Sequence, residues 1–250
     1  MDNSAVYTEG KKVSTKFMAV VFLYMFMGLA ITGLTGFLFA LWLTKSFSDG
    51  AGALSETGYT ILLFSAIGAW IIALIDSFIL PFVAGKSGRA PWFGYILYAL
   101  CVGVGFSIIL LAGVSFAIIG EAFGLTALVF LIMFLIGYFS KADLTPLAFV
   151  GIALLVGIFA VSLFWGVWIA IAYATGSYGT YLLIDYGISA VLIVVMMLFI
   201  AYDANRMAKI ADQGMATTNT ALYCAFTLYG DFIVLFVRIL YILLATQSRR

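Results

Sequence analysis

Seven apolar runs, each long enough to cross a ~30 Å hydrocarbon core as a helix of about 20 residues, leave this 250-residue chain little freedom of fold. Phe17–Thr44 carries no charge, and Thr57–Gly85 is interrupted only by Asp76. Ala90–Gly120 and Ala122–Ser140 follow, again uncharged. Leu144–Ile184 is too long for one helix and divides at the turn cluster Thr175-Gly176-Ser177-Tyr178-Gly179, so the fifth span ends near Tyr173. The sixth runs from about Tyr181 past Asp203, and the seventh from about Thr220 to Ala245. The first run is a full-length span with no small-residue cleavage site, unlike a removable leader. The expected fold is an all-α membrane protein of seven transmembrane helices. A short cytoplasmic tail, 1–16, precedes a single seven-helix domain, 17–246, and a C-terminal tail, 247–250.

Charge and residue usage narrow the chemistry. Only 9% of residues are charged, and twelve basic side chains nearly balance eleven acidic ones. A net charge of +1 offers no field for a nucleic-acid backbone. Cys101 and Cys224 both lie in apolar runs, where a disulfide framework is not expected. There is no histidine, so Ser-His and Cys-His catalysis, most zinc sites and any imidazole switch drop out. Proton chemistry must run on carboxylates. No cofactor and no enzymatic activity are implied. Glycines at Gly28, Gly33 and Gly36, and at Gly120 and Gly124, read as places where helices approach closely.

Ionisable groups inside spans are expensive and mark function. They are Asp76, Asp185, Asp203, Asp231 and Arg238, with Glu121 at the mouth of the fourth span. Asp185 and Asp203 are eighteen residues apart, five helical turns, so they share one face with Ser189 between them. Asp185 is near a membrane face, where the plain reading is a solvated carboxylate. On the seventh span Thr220, Thr227, Asp231 and Arg238 fall on one stripe. The rest of that helix is apolar all round, as expected of a helix enclosed by the other six. Carboxylates of Asp203 and Asp231 that meet would tend to share one proton and titrate as a unit. That suits a proton-operated latch or a transient calcium contact, although two carboxylates fall short of calcium's usual six to eight oxygen ligands. The plainer alternative pairs Asp231 with Arg238, about 10 Å along the same helix.

Several segments resemble the Bax inhibitor family. Gly137-Tyr138-Phe139-Ser140-Lys141-Ala142-Asp143-Leu144-Thr145 is similar to the family's junction after its fourth span, and Glu121-Ala122-Phe123-Gly124-Leu125-Thr126-Ala127 to the opening of that span. Ala201-Tyr202-Asp203 resembles its aromatic-aspartate step, and Leu228-Tyr229-Gly230-Asp231 its leucine-tyrosine-x-aspartate signature. The resemblance covers nearly the whole chain. It implies six helices wrapped around a central C-terminal helix, and a pH-sensitive calcium leak gated by aspartates that fall on Asp203 and Asp231. It also implies an alternative role as a regulatory binding protein, since some bacterial relatives modulate a membrane-anchored protease and animal relatives suppress cell death. The short loops look bacterial, which would place the chain in the cell's inner membrane; a eukaryotic member would sit in an endomembrane. The partners implied are the bilayer, calcium or other cations, and a possible membrane protein.

Two departures qualify the resemblance. Relatives can carry an arginine on the second span that pairs with the sixth-span aspartate, but no basic residue lies between Lys45 and Lys86 here. Asp76 stands on that span instead, and its depth predicts that it joins Asp203 and Asp231 on the cytoplasmic side. Arg206, three residues beyond Asp203, is then the expected charge partner, because Arg238 can snorkel to the other face. A remote alternative is the aspartyl intramembrane proteases, which Tyr202-Asp203 and Gly230-Asp231 also resemble. Leu228 stands where their motif has glycine, however, and no proline follows Pro146.

Orientation follows from Lys and Arg in short loops. With the N-terminus cytoplasmic, Lys11, Lys12, Lys16, Lys86, Arg89, Lys141, Arg206 and Lys209 lie inside, against Lys45, Arg249 and Arg250 outside. Single cysteines at Lys86→Cys and Arg206→Cys are therefore expected to label from the cytoplasm, and Gly176→Cys from outside. Cytoplasmic labelling at position 176 would invert the topology.

Overall fold

A computed structural model describes residues 10–49, 54–86, 92–163, 174–176 and 178–247. The end of the expected fifth span (164–173), Ser177, Arg89 and the chain ends 1–9 and 248–250 lie outside the described residues. Among those described, seven α-helices follow one another: α1 (Gly10–Phe47), α2 (Glu56–Lys86), α3 (Trp92–Leu111), α4 (Phe116–Phe139), α5 (Thr145–Leu163), α6 (Tyr178–Asp212) and α7 (Thr218–Gln247). Six are long and apolar enough to span a membrane, and α5 is apolar from Pro146 to Leu163. The chain is an all-α, multi-pass membrane protein.

One boundary moves. The sequence leaves the third span running to Gly120, whereas α3 ends at Leu111 and α4 begins at Phe116. Gly113 is the reason: at φ +74° it adopts the left-handed conformation that ends helices, and its N–H turns back to the Leu110 carbonyl at 3.2 Å. Glu121 consequently sits inside α4, exposed, and not at the mouth of the span. At the end of α6, Gly214 (φ +71°) does the same work, with the Met215 N–H on the Ile210 carbonyl at 3.2 Å. The Thr217 hydroxyl then caps α7 by accepting the Thr220 N–H at 3.2 Å.

The chain forms two compact units. One comprises residues up to Phe116 with Ile210–Tyr229, and the other Ala117–Lys209 with Gly230–Arg250. In the first, α3 lies along α1 and α2. Gly36 and Gly103 make the α1–α3 approach possible: a Cβ on Gly36 would stand 2.9 Å from the Gly103 carbonyl, and one on Gly103 would stand 2.7 Å from that of Thr32. Gly28 likewise faces the Tyr95 ring, but Gly33, Gly120 and Gly124 meet no described atom within 4 Å. The close approach expected of these glycines is thus seen at Gly28 and Gly36. The close approach lets the Thr32 hydroxyl donate to the Ala99 carbonyl at 3.1 Å and meet the Tyr229 hydroxyl at 2.5 Å. Tyr95 and Tyr98 pack edge-on against Phe226 and Tyr229, seating the start of α7.

In the second unit, Phe123 and Phe130 of α4 pack on Phe232 of α7 at 5.3 and 5.7 Å, while the α4–α5 elbow is clamped to α6. Gly137 lies so close that a Cβ there would fall on the Ala201 carbonyl oxygen. One turn on, Asn205 Nδ2 donates to the Ser140 carbonyl at 2.8 Å and the Gly137 carbonyl at 3.4 Å. Both carbonyls belong to the C-terminal end of α4, where the regular helical partners run out, and that of Gly137 also accepts the Ser140 N–H at 3.3 Å. A turn further, Lys209 Nζ bonds Asp143 Oδ1 at 2.8 Å, and the same oxygen accepts the Thr145 N–H and hydroxyl at the start of α5.

Two outcomes follow for this elbow. Gly137→Ala should push α4 off α6 and cost about 1–3 kcal/mol, visible as a lower melting temperature in detergent; an unchanged melt would mean that the contact is dispensable. The Lys209 hydrogen bond, helped by Thr145, holds the exposed Asp143 carboxyl down at about 2. Because that value is depressed on folding, the stabilisation is complete above the ordinary carboxylate range and disappears as pH falls through about 2. The melting difference between wild type and Asp143→Asn should accordingly be present at pH 6 and shrink towards zero at the acid end.

Candidate functional site

The buried face of α6 carries an acid at each end. Asp185, Ser189, Leu192, Met196 and Asp203 recur at helical spacing, and all are buried. Asp203 is 8% exposed and lies between Ala201, where Gly137 presses on the backbone, and Asn205, whose amide holds the end of α4. The elbow clamp therefore fixes the stretch of α6 that presents Asp203.

Facing it is Asp231. Between Ala221 and Leu240, α7 is buried over most of its surface, with Leu222, Ala225, Leu228, Tyr229 and Leu235 wholly inaccessible. Its one partly accessible stripe contains Thr220, Thr227, Asp231, Val234 and Arg238, the polar stripe legible in the sequence. Asp231 Oδ2 points inward from that stripe, buried and without a hydrogen-bond partner. Asp203 is near enough for the two carboxylates to feel each other's charge. A buried carboxylate oxygen with no donor is costly, and a like charge beside it raises the cost. The arrangement stores a demand for a proton or a cation. Among the described residues no three Cys, Asp or Glu side chains gather.

Arg206 is half-buried one turn beyond Asp203, and Arg238 makes no ion pair among the described residues. Asp185 is not the solvated carboxylate expected near a membrane face. It is 7% exposed and accepts a hydrogen bond from the Tyr241 hydroxyl of α7. Helix α6 begins at Tyr178, earlier than the sequence suggested, so Asp185 lies two turns inside it. Asp76 stands in the first unit, half-buried, with its Oδ2 unpartnered. Gly94 lets α3 approach it: a Cβ there would stand 3.0 Å from Asp76 Oδ1. Tyr98 and Cys101 are within its electrostatic reach.

Sequence reasoning overlooked Asn205, Lys209 and Tyr241. The first two were findable: Ala201, Asn205 and Lys209 follow at steps of four, a small residue, an amide and a base on one face. Tyr241 carried no such signal, because one tyrosine in an apolar helix is unremarkable until its partner is known.

The family described as "Inhibitor of apoptosis-promoting Bax1" matches residues 14–249. An uncharacterized protein of Chlamydia muridarum is 26% identical over 98% of this chain and 97% of its own length. An uncharacterized membrane protein of Streptococcus pyogenes serotype M3 is 28% identical over 96% of this chain and 97% of its own. With that match extending over nearly every residue, the chain belongs to the Bax inhibitor family of multi-pass membrane proteins.

Proposed function

We propose that this protein is a pH-sensitive cation leak, with calcium as the cation, gated by Asp203 and Asp231 sharing a proton. The observation that carries this reading is the buried, partnerless Oδ2 of Asp231 beside a second carboxylate. One shared proton removes the repulsion and ties α6 to α7; a divalent cation does the same transiently while it passes. The partly accessible polar stripe of α7 supplies the hydroxyls of Thr220 and Thr227 along the same face.

The sign of the pH response follows from the latch. A shared proton is present at low pH, so the closed state persists there and flux rises as pH climbs through the pair's apparent titration. A latch made instead by a carboxylate–arginine ion pair would respond in the opposite sense. Calcium flux through purified protein in liposomes, measured across a pH series, distinguishes these. Asp203→Asn and Asp231→Asn should each flatten the profile, and wild-type pH dependence in the double variant would end the proposal. Asp76 and Arg206 are proposed as modulators of the path. Asp76→Asn and Arg206→Gln should change flux or cation affinity, and unchanged values in both would remove them from it.

A further inference from the structure

The far end of α6 holds a second buried polar cluster that the aspartate pair does not use. Asp185 accepts the Tyr241 hydroxyl across the α6–α7 contact, and the Tyr186 and Tyr241 rings lie 6.3 Å apart beside it. Ser189 is one turn along α6 on the same face. It is 0% exposed and its Oγ has no hydrogen-bond partner. That is unusual in this protein. Ser65, Ser77, Ser107, Thr126 and Thr227 all return their hydroxyls to a backbone carbonyl three or four residues back. Ser189 forgoes this bond while remaining wholly buried. An unmet buried hydroxyl is costly, and a ligand at this point would satisfy it.

We propose that Asp185, Ser189 and Tyr241 form a binding site for a small monovalent cation of the sodium class. The donor set is all oxygen, one carboxylate and two hydroxyls, which suits a hard cation. One carboxylate neutralises one charge. A divalent ion would keep an uncompensated charge in a low-dielectric setting and would lack most of its usual ligands. Arg238 lies three residues before Tyr241 on α7, close to the same face, and its charge disfavours a divalent ion further. The site is eighteen residues from Asp203, ~27 Å along α6, and it does not depend on how the aspartate pair is read.

Thermal unfolding of the purified full chain in detergent tests this, with NaCl replacing choline chloride at constant ionic strength and KCl and CaCl2 as parallel arms. A saturable rise in melting temperature is expected with sodium, smaller with potassium and smaller still with calcium. Asp185→Asn should abolish it, while Ser189→Ala and Tyr241→Phe should each raise the half-saturating sodium concentration about tenfold. Arg238→Gln should lower that concentration, and Asp203→Asn should leave it unchanged. If Asp185→Asn does not fold, Ser189→Ala carries the test. An equal rise in sodium, potassium and choline is an ionic-strength effect and overturns the proposal. So does a sodium response that survives in Asp185→Asn or Ser189→Ala, or one lost in Asp203→Asn, which would assign the ion to the other pair.

Discussion

Between two helices in a bilayer, apolar side chains gain little by touching each other, since lipid tails are equally apolar. What holds such helices is contact close enough for dispersion and for hydrogen bonds from hydroxyls and amides. Missing side chains create that closeness here. Gly36 and Gly103 let α1 and α3 meet at backbone distance, and only then does Thr32 reach the Ala99 carbonyl and the Tyr229 hydroxyl. Gly137 does the same for α4 and α6, and Asn205 can cap α4 because Gly137 has brought the helix within its reach. In each case a glycine contact comes first and the polar bond depends on it.

The helices were legible because the hydrocarbon core imposes one length on all of them. Their ends were less so. Apolarity continues through residues 112–115, and only the left-handed turn at Gly113 separates α3 from α4. Spacing alone also could not say which glycines pack: Gly28 and Gly36 do, whereas Gly33 between them does not, because one residue's rotation about the helix decides which glycine meets α3. The polar stripe of α7 was readable from its period, and it is the face that remains partly accessible. The Asp185–Tyr241 bond was not readable, since it depends on the relative register of α6 and α7, which no local pattern encodes.

The segments that resemble the family thereby separate into two kinds. The junction from Gly137 to Thr145 is mechanical: a close contact, a helix cap and an exposed ion pair spaced one turn apart along α6. The two aspartate steps bring two carboxylates within reach of each other's charge between α6 and α7. The first kind stiffens the helix that carries Asp203, so that any rearrangement at the acid pair is resisted by bonds made two residues to either side.

The same elbow has a consequence for biosynthesis. Asn205 follows Ser140 by 65 residues and Lys209 follows Asp143 by 66, so neither partner exists while α4 and α5 are being made. During that interval the Ser140 carbonyl and the Asp143 carboxylate lack these partners, although the Gly137 carbonyl holds the Ser140 N–H at 3.3 Å. When α6 arrives, its amide and its lysine complete the corner together. A newly made chain thus acquires its α4–α5 corner last among the contacts of that hairpin, and the ribosome has to deliver almost the whole of α6 before the corner can close.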